Sequence, residues 1–171
     1  MKKRLVNFWY YHRIHILIAV LILAAGGYLL LQQIGKVPAD YEIAVVSGEY
    51  YSDEQLSALQ AVFTAAGADL NGDGETVVQI HRYRLKIGEN GQDAAEISAL
   101  DADLVGKVSG LFLLENPSAF EEATNGICRS SDAVSCADTA ELSGENWREL
   151  FLAVREEADE KYAAMLDALT A

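Results

Sequence analysis

YEIAVVSGEYYSDEQLSALQAVFTAAG, residues 41–67, is the stretch on which the reading of this chain turns. Tyr41–Val46 is a short, nearly continuous apolar run, the pattern of a strand covered on both faces, as in parallel sheets flanked by helices. Ser52 then opens SDEQ, a capping-box pattern with Ser52 as the cap and Gln55 reaching back. Leu56, Leu59, Val62 and Phe63 follow at helical spacing, and Gly67 is placed to end the helix. A buried strand that runs into an amphipathic helix begins a strand–helix–strand unit.

The alternation continues outward from there. Thr76–Leu85 (TVVQIHRYRL) alternates apolar and polar residues and ends in arginines, which predicts a second strand at the edge of a sheet. Ile97, Leu100, Leu104 and Val108 mark a second helix, and Gly110–Leu114 (GLFLL) a third strand. Asn116-Pro117 opens a short helix, with Asn as cap and Pro in the first turn. Leu150–Val154 (LFLAV) predicts a fourth strand, whose placement and direction the sequence leaves open. Glu156–Leu169 reads as a terminal helix, acidic at its start as the macrodipole prefers. Right-handed crossovers on this order predict one small α/β domain over residues 41–171. Its sheet is expected to be Rossmann-like: doubly wound, mostly parallel, of order 2-1-3 plus a fourth strand, and flanked by helices.

In such a sheet ligands collect beyond the carboxyl ends of the strands, at the switch point between strands one and three. Strand one ends in Ser47, Glu49, Tyr50 and Tyr51; strand three ends in Glu115 and Asn116; the last strand ends in Arg155. Tyrosines and carboxylates together suit a small polar or cationic ligand. The plainer reading is that the tyrosines cover the end of the sheet and Asn116 only caps a helix.

The N-terminal part has a different character. Ile14–Leu31 (IHILIAVLILAAGGYLLL) holds eighteen residues with one ionisable group, His15. As a helix it would rise about 27 Å, near the roughly 30 Å of a hydrocarbon core. Trp9, Tyr10 and Tyr11 precede it at the position of an interfacial belt. Lys2, Lys3, Arg4 and Arg13 come before it and only Lys36 follows closely. The expectation is a cytoplasmic basic segment (1–13), a transmembrane helix (14–34), a linker (35–40) and an extracytoplasmic domain, on the positive-inside bias. A cleaved signal peptide competes with this, but YLLL continues the apolar region past Ala24 and Gly26, which favours an uncleaved signal anchor in the cell membrane.

Charge divides the chain in the same place. The first 36 residues hold five basic side chains and no acidic one; residues 37–171 hold eight basic and all 26 acidic ones, a net of −18. Nucleic acid is excluded as a partner, because its phosphates would be repelled. Solubility is the ordinary use of such charge, and attraction of cations the more specific one.

The runs YEIAVVSGEYYSDEQLSAL, VVQIHRYRL and GLFLLENPSAFEEA resemble the first lobe of extracellular solute-binding proteins. They are also similar to single-pass membrane proteins of bacteria that carry such a domain outside. The resemblance covers about residues 40–125 and implies the fold and a binding role accessory to a transport or envelope system. Only 23 residues, 126–148, separate it from the last strand, too few for the second lobe of a clamp.

Two further motifs stay open. In DLNGDGETVVQI, Asp69, Asn71, Asp73 and Glu75 occupy calcium-loop positions one, three, five and seven. Ile80 stands where a bidentate carboxylate is required, and Asp93, Asp101 and Asp103 are the nearest acidic replacements. The alternative is a turn that uses Asn, Asp and Gly for turn chemistry. Cys128 and Cys136 lie in the long loop over 126–148; an oxidising exterior predicts a disulfide between them, and reduced thiols are the alternative. His81 is the one histidine beyond the apolar segment, and there is no GxSxG, HExxH or GxxxxGK. The expectation is therefore a binding or interaction module without catalysis or a resident cofactor, calcium apart. The competing class is a structural or assembly component, with a protein partner in the membrane or envelope and a calcium-stabilised ectodomain.

Overall fold

A computed structural model of the chain describes residues 14, 18–28, 38–89, 91–144 and 146–171. Two compact units divide it, Met1–Pro38 and Ala39–Ala171. In the first, α1 is described over residues 18–28. Among the described residues no helix is long and apolar enough to cross a membrane. That finding corrects the expected transmembrane helix over 14–34 and the signal anchor with it. Residues 1–13, 15–17 and 29–37, on which the rest of that expectation falls, lie outside the described residues.

The second unit is a five-stranded sheet with helices on both faces. Its elements are β1 (Tyr41–Ser47), α2 (Asp53–Ala66), β2 (Val78–Arg84), α3 (Ala94–Gly106), β3 (Leu111–Leu114), α4 (Pro117–Ala123), β4 (Val134–Ser135), β5 (Phe151–Val154) and α5 (Glu160–Thr170). The sheet order is β2-β1-β3-β5-β4. β1 pairs parallel with β2 and with β3, whereas β5 runs antiparallel to both β3 and β4. The expected mostly parallel, four-stranded, doubly wound sheet is thus corrected to a mixed one.

The reason lies in the connection after β3. α4 is a short helix, and by Ile127–Cys128 the chain has already returned to the amino end of β3. There Cys128 bridges Arg155, and Arg155 N donates to Gly110 O (3.0 Å). The 126–148 segment then climbs again through two 3-10 turns and β4. A strand entered from the top can only descend. β5 does so, and Arg155 ends at the bottom of the sheet.

Alternation along the strands builds two cores. Ile43 and Val45 of β1 with Leu111 and Leu113 of β3 face α2 and α5, through Leu59, Phe63, Tyr162 and Met165. Ala44, Val46, Phe112 and Leu114 face the other way, against Leu100 and Leu104 of α3 and Phe120 of α4. The entry into α2 is fixed by local chemistry. At the start of α2, Gln55 N donates to Ser52 Oγ (3.3 Å) and Ser52 N to Gln55 Oε1 (2.8 Å), the reciprocal box that spares two orphan amides. α2 and α4 leave β1 and β3 on opposite faces, and that divergence opens a crevice above the two strands.

Candidate functional site

The crevice lies where β1 passes into Gly48–Ser52 and β3 into Glu115–Asn116. Glu115 Oε2 accepts from Gly48 N (3.0 Å), tying the two strand ends together and dividing the space in two. On the α2 side is a cleft of about 290 Å³ that brings together five of the expected residues, Ser47, Glu49, Tyr50, Tyr51 and Glu115. On the α4 side a second cavity, about 240 Å³, is shared by Glu115, Asn116 and Lys86 over a floor that includes Val46, Leu114 and Phe120. Asn116 faces this second space, and its side chain caps α4 by accepting from Ala119 N (3.1 Å).

The walls of the larger cleft are held in place. Ser47 Oγ accepts from Glu49 N (3.1 Å) and shares a hydrogen bond with Tyr51 Oη (3.3 Å). The Tyr51 ring rests against Trp147, centroids 4.6 Å apart. Arg82 donates from Nη1 to Tyr51 O (2.9 Å), and its guanidinium lies 5.5 Å from the centre of the Tyr50 ring. Tyr50 itself is 67% exposed at the mouth, with Arg82 over one face of its ring. Burial pushes the Tyr51 hydroxyl above its ordinary value; the Ser47 hydrogen bond opposes this, and the negative fields of Glu115 and Glu49 add to it. Those fields reach into the cleft.

Four lining residues were not expected: Gln55, Asn146, Glu149 and Leu150. Gln55 Nε2 donates to Asn146 Oδ1 (2.9 Å), closing the cleft between α2 and the segment that leads into β5. The direction of β5 explains why they were missed. Because it descends, its entry rather than its exit meets the crevice, so Glu149 and Leu150 replace Arg155. The expected place of Arg155 is corrected accordingly. It lies at the opposite end of the sheet, 8% exposed, with Nη2 donating to Leu104 O (2.7 Å) near the end of α3. All the charged side chains that line the larger cleft are carboxylates: Glu49, Glu115 and Glu149.

The other candidates resolve differently. Asp69 accepts from Gly72 N (2.7 Å) and Gly74 N (2.8 Å), and Asp73 accepts from Glu75 N (2.9 Å). Asn71 accepts from Asp73 N and donates to Asp73 Oδ2 (2.9 Å). These bonds close the loop as a series of turns, and they hold the Asp69 carboxyl below its ordinary value, Gly74 contributing most. Asp93 caps α3, and Asp103 is buried against Tyr83 and Ser109. Among the described residues no three His, Cys, Asp or Glu side chains are placed to hold a metal. A residue that sequence reasoning missed, Asp40, anchors the base of the loop by accepting from Leu70 N and Val77 N (3.3 and 2.8 Å).

The expected disulfide is corrected as well. Cys128 and Cys136 are free and buried, and they sit in different cores, Cys128 with α3 and α4, Cys136 with α2 and α5. The sheet lies between the two cores. Burial pushes each thiol up to about 12. His81 on β2 has its own partner, with Nε2 2.6 Å from Glu42 Oε2.

No protein family, curated protein or solved structure matches the chain.

Proposed function

We propose that the Ala39–Ala171 unit is a binding module that takes a small organic cation in the crevice above β1 and β3 and does no chemistry on it. The observation that supports this is the larger cleft itself: three carboxylates and two tyrosines line one cavity of about 290 Å³, and no basic side chain lines it. Carboxylates with an aromatic face attract ammonium groups by charge and by the ring quadrupole, and a desolvated cation–π contact adds roughly 2 kcal/mol. A bare metal ion fits less well, since the carboxylates do not converge as a ligand set. The position agrees with the general rule that open α/β sheets bind beyond the carboxyl ends of their strands, at the switch point.

The reading is tested on the full chain by thermal unfolding with 1,4-diaminobutane, tetramethylammonium, glucose and inorganic phosphate at fixed ionic strength. A cation present at a hundredfold its dissociation constant stabilises by about 2.7 kcal/mol, several degrees for a unit of this size. The expected result is a rise with at least one of the two cations, none with glucose or phosphate, and its loss in Glu49→Gln/Glu149→Gln. No rise with either cation would overturn the reading.

A further inference from the structure

The two edges of the sheet are finished differently. β4, at one edge, is two residues long, and a 3-10 turn follows it at once. β2, at the other, runs seven residues, about 23 Å, in unbroken register with β1 and with no proline. Sheets that must not pair shorten, bend or cover such an edge. Here only the charges of Arg82 and Arg84 guard it.

Backbone groups alternate along β2. Val77 O accepts from Tyr41 N (3.2 Å) and Leu85 N donates to Ser47 O (3.1 Å), so the odd-numbered residues turn their backbone groups towards β1. Val78, Ile80, Arg82 and Arg84 turn theirs outward. Gln60 Nε2 donates to Val78 O (2.7 Å) and Arg84 N to Glu96 Oε2 (3.2 Å), which occupies both ends of the edge. Between them, the N–H and C=O of Ile80 and of Arg82 have no hydrogen-bond partner among the described residues. Beside these groups is a groove of about 420 Å³ between α2 and β2. Asp53, Leu56, Ser57 and Gln60 wall it as one stripe of α2 at helical spacing, and Val78 and Ile80 lie in its floor. Charge here is balanced: Arg82 and Arg84 are offset by Asp53 in the groove and by Glu96 at the Arg84 amide. A lone ion of either sign therefore has no favoured place.

We propose that the outer edge of β2 binds an extended segment of a partner polypeptide as an added strand, with an apolar side chain of that segment in the α2–β2 groove. A polypeptide main chain supplies donors and acceptors at the spacing of Ile80 and Arg82, and its alternating side chains send every second one to the α2 face. A second copy of this chain is a poor occupant. One strand against one strand of this length buries well under the roughly 1,200 Å² of a stable complex. Two chains of net −13 also repel each other. The proposal is independent of the crevice and of any ligand there.

The test uses the full chain and a capped heptapeptide of alternating valine and threonine at millimolar concentration, read by amide NMR and hydrogen exchange. The peptide is expected to slow exchange at the Ile80 and Arg82 amides and to shift their signals. N-methylation of one alternate set of its amides should lower affinity by about fivefold or more, the loss of at least one hydrogen bond, whereas methylation of the other set should not. Ser57→Trp, at an exposed position of α2, fills the groove and should weaken binding as much, with Ser57→Ala leaving it unchanged. No slowing at Ile80 and Arg82, equal binding of the two methylated peptides, or indifference to Ser57→Trp would overturn the proposal. Protection of the same amides that grows with chain concentration in the absence of peptide would overturn it too, by making a second copy the occupant.

Discussion

The two ends of the sheet are built on opposite plans. At the carboxyl end of β1 and β3 the chain is open and polar. Lys86 lies over Gly48, where an added Cβ would sit 2.2 Å from Lys86 Cγ, but that lysine is exposed and free to swing away. At the amino end the chain is closed. A Cβ on Gly110 would sit 2.1 Å from Cε2 of Tyr162, whose ring is packed in the core and whose hydroxyl accepts from Glu42 N (3.1 Å). One end has been left adaptable and acidic; the other is fixed around a buried cation. The contrast teaches where this fold can accept a ligand by moving side chains, and where a newcomer must displace the core.

The largest expected effect comes from exchanging the two glycines. Gly110→Ala must displace the Tyr162 ring and should lose about 2–3 kcal/mol, at the upper part of the range for overpacking. Gly48→Ala needs only a lysine to move and should lose less than about 1 kcal/mol. Chemical denaturation of both variants checks this, and equal losses would erase the distinction between the ends.

A second effect separates the two cores. Each buried thiol has its pKa raised from 9.0 to about 12, so the folded state holds protons that the unfolded state has lost. Stability from this source is therefore fully present below about pH 9 and is lost as pH rises towards about 12. Cys128→Ala and Cys136→Ala should each flatten part of the alkaline loss. Tyr51, Tyr83 and Tyr162, whose hydroxyls burial also raises, act in the same direction. At neutral pH neither thiol should react with a thiol reagent until the chain unfolds, and then both should. Recovery of a Cys128–Cys136 disulfide from the native protein would contradict the arrangement.

Smaller again is the cap of α2. Ser52→Ala removes one side of the box beside the crevice and should lose about 1 kcal/mol, read by denaturant unfolding. The smallest effect belongs to the loop over 69–75. Its carboxylates already accept from its own amides, so 1 mM calcium should raise the unfolding temperature by less than about two degrees. A larger rise, lost in Asp69→Ala or Asp73→Ala and not reproduced by magnesium, would show that the loop rearranges around an ion.

What could be read from the sequence was what depends on neighbours along the chain. YEIAVV announces a strand because every residue but Glu42 is apolar, and SDEQ announces a helix start because cap and box lie three residues apart. The direction of β5 is not of that kind. LFLAV reads the same upward or downward, and only the short α4 and the climb through Val134–Ser135 force it down. One reversal moved Arg155 out of the crevice and brought Glu149 in. The two cysteines misled for a related reason: eight positions apart in sequence, they are parted by the sheet once β4 is inserted between them. The apolar segment over 14–31 had length and hydropathy on its side, but among the described residues no helix is long and apolar enough to cross a membrane.

The crevice reading stands or falls on where a cation binds. The most direct measurement is an amide NMR titration of the full chain with 1,4-diaminobutane. The account predicts that the diamine shifts Gly48, Glu49, Tyr50, Tyr51 and Glu115 and leaves Asn125–Ile127, at the other end of the sheet, unmoved. Shifts from the diamine confined to residues away from the carboxyl ends of β1 and β3, or no shifts at all, would contradict it.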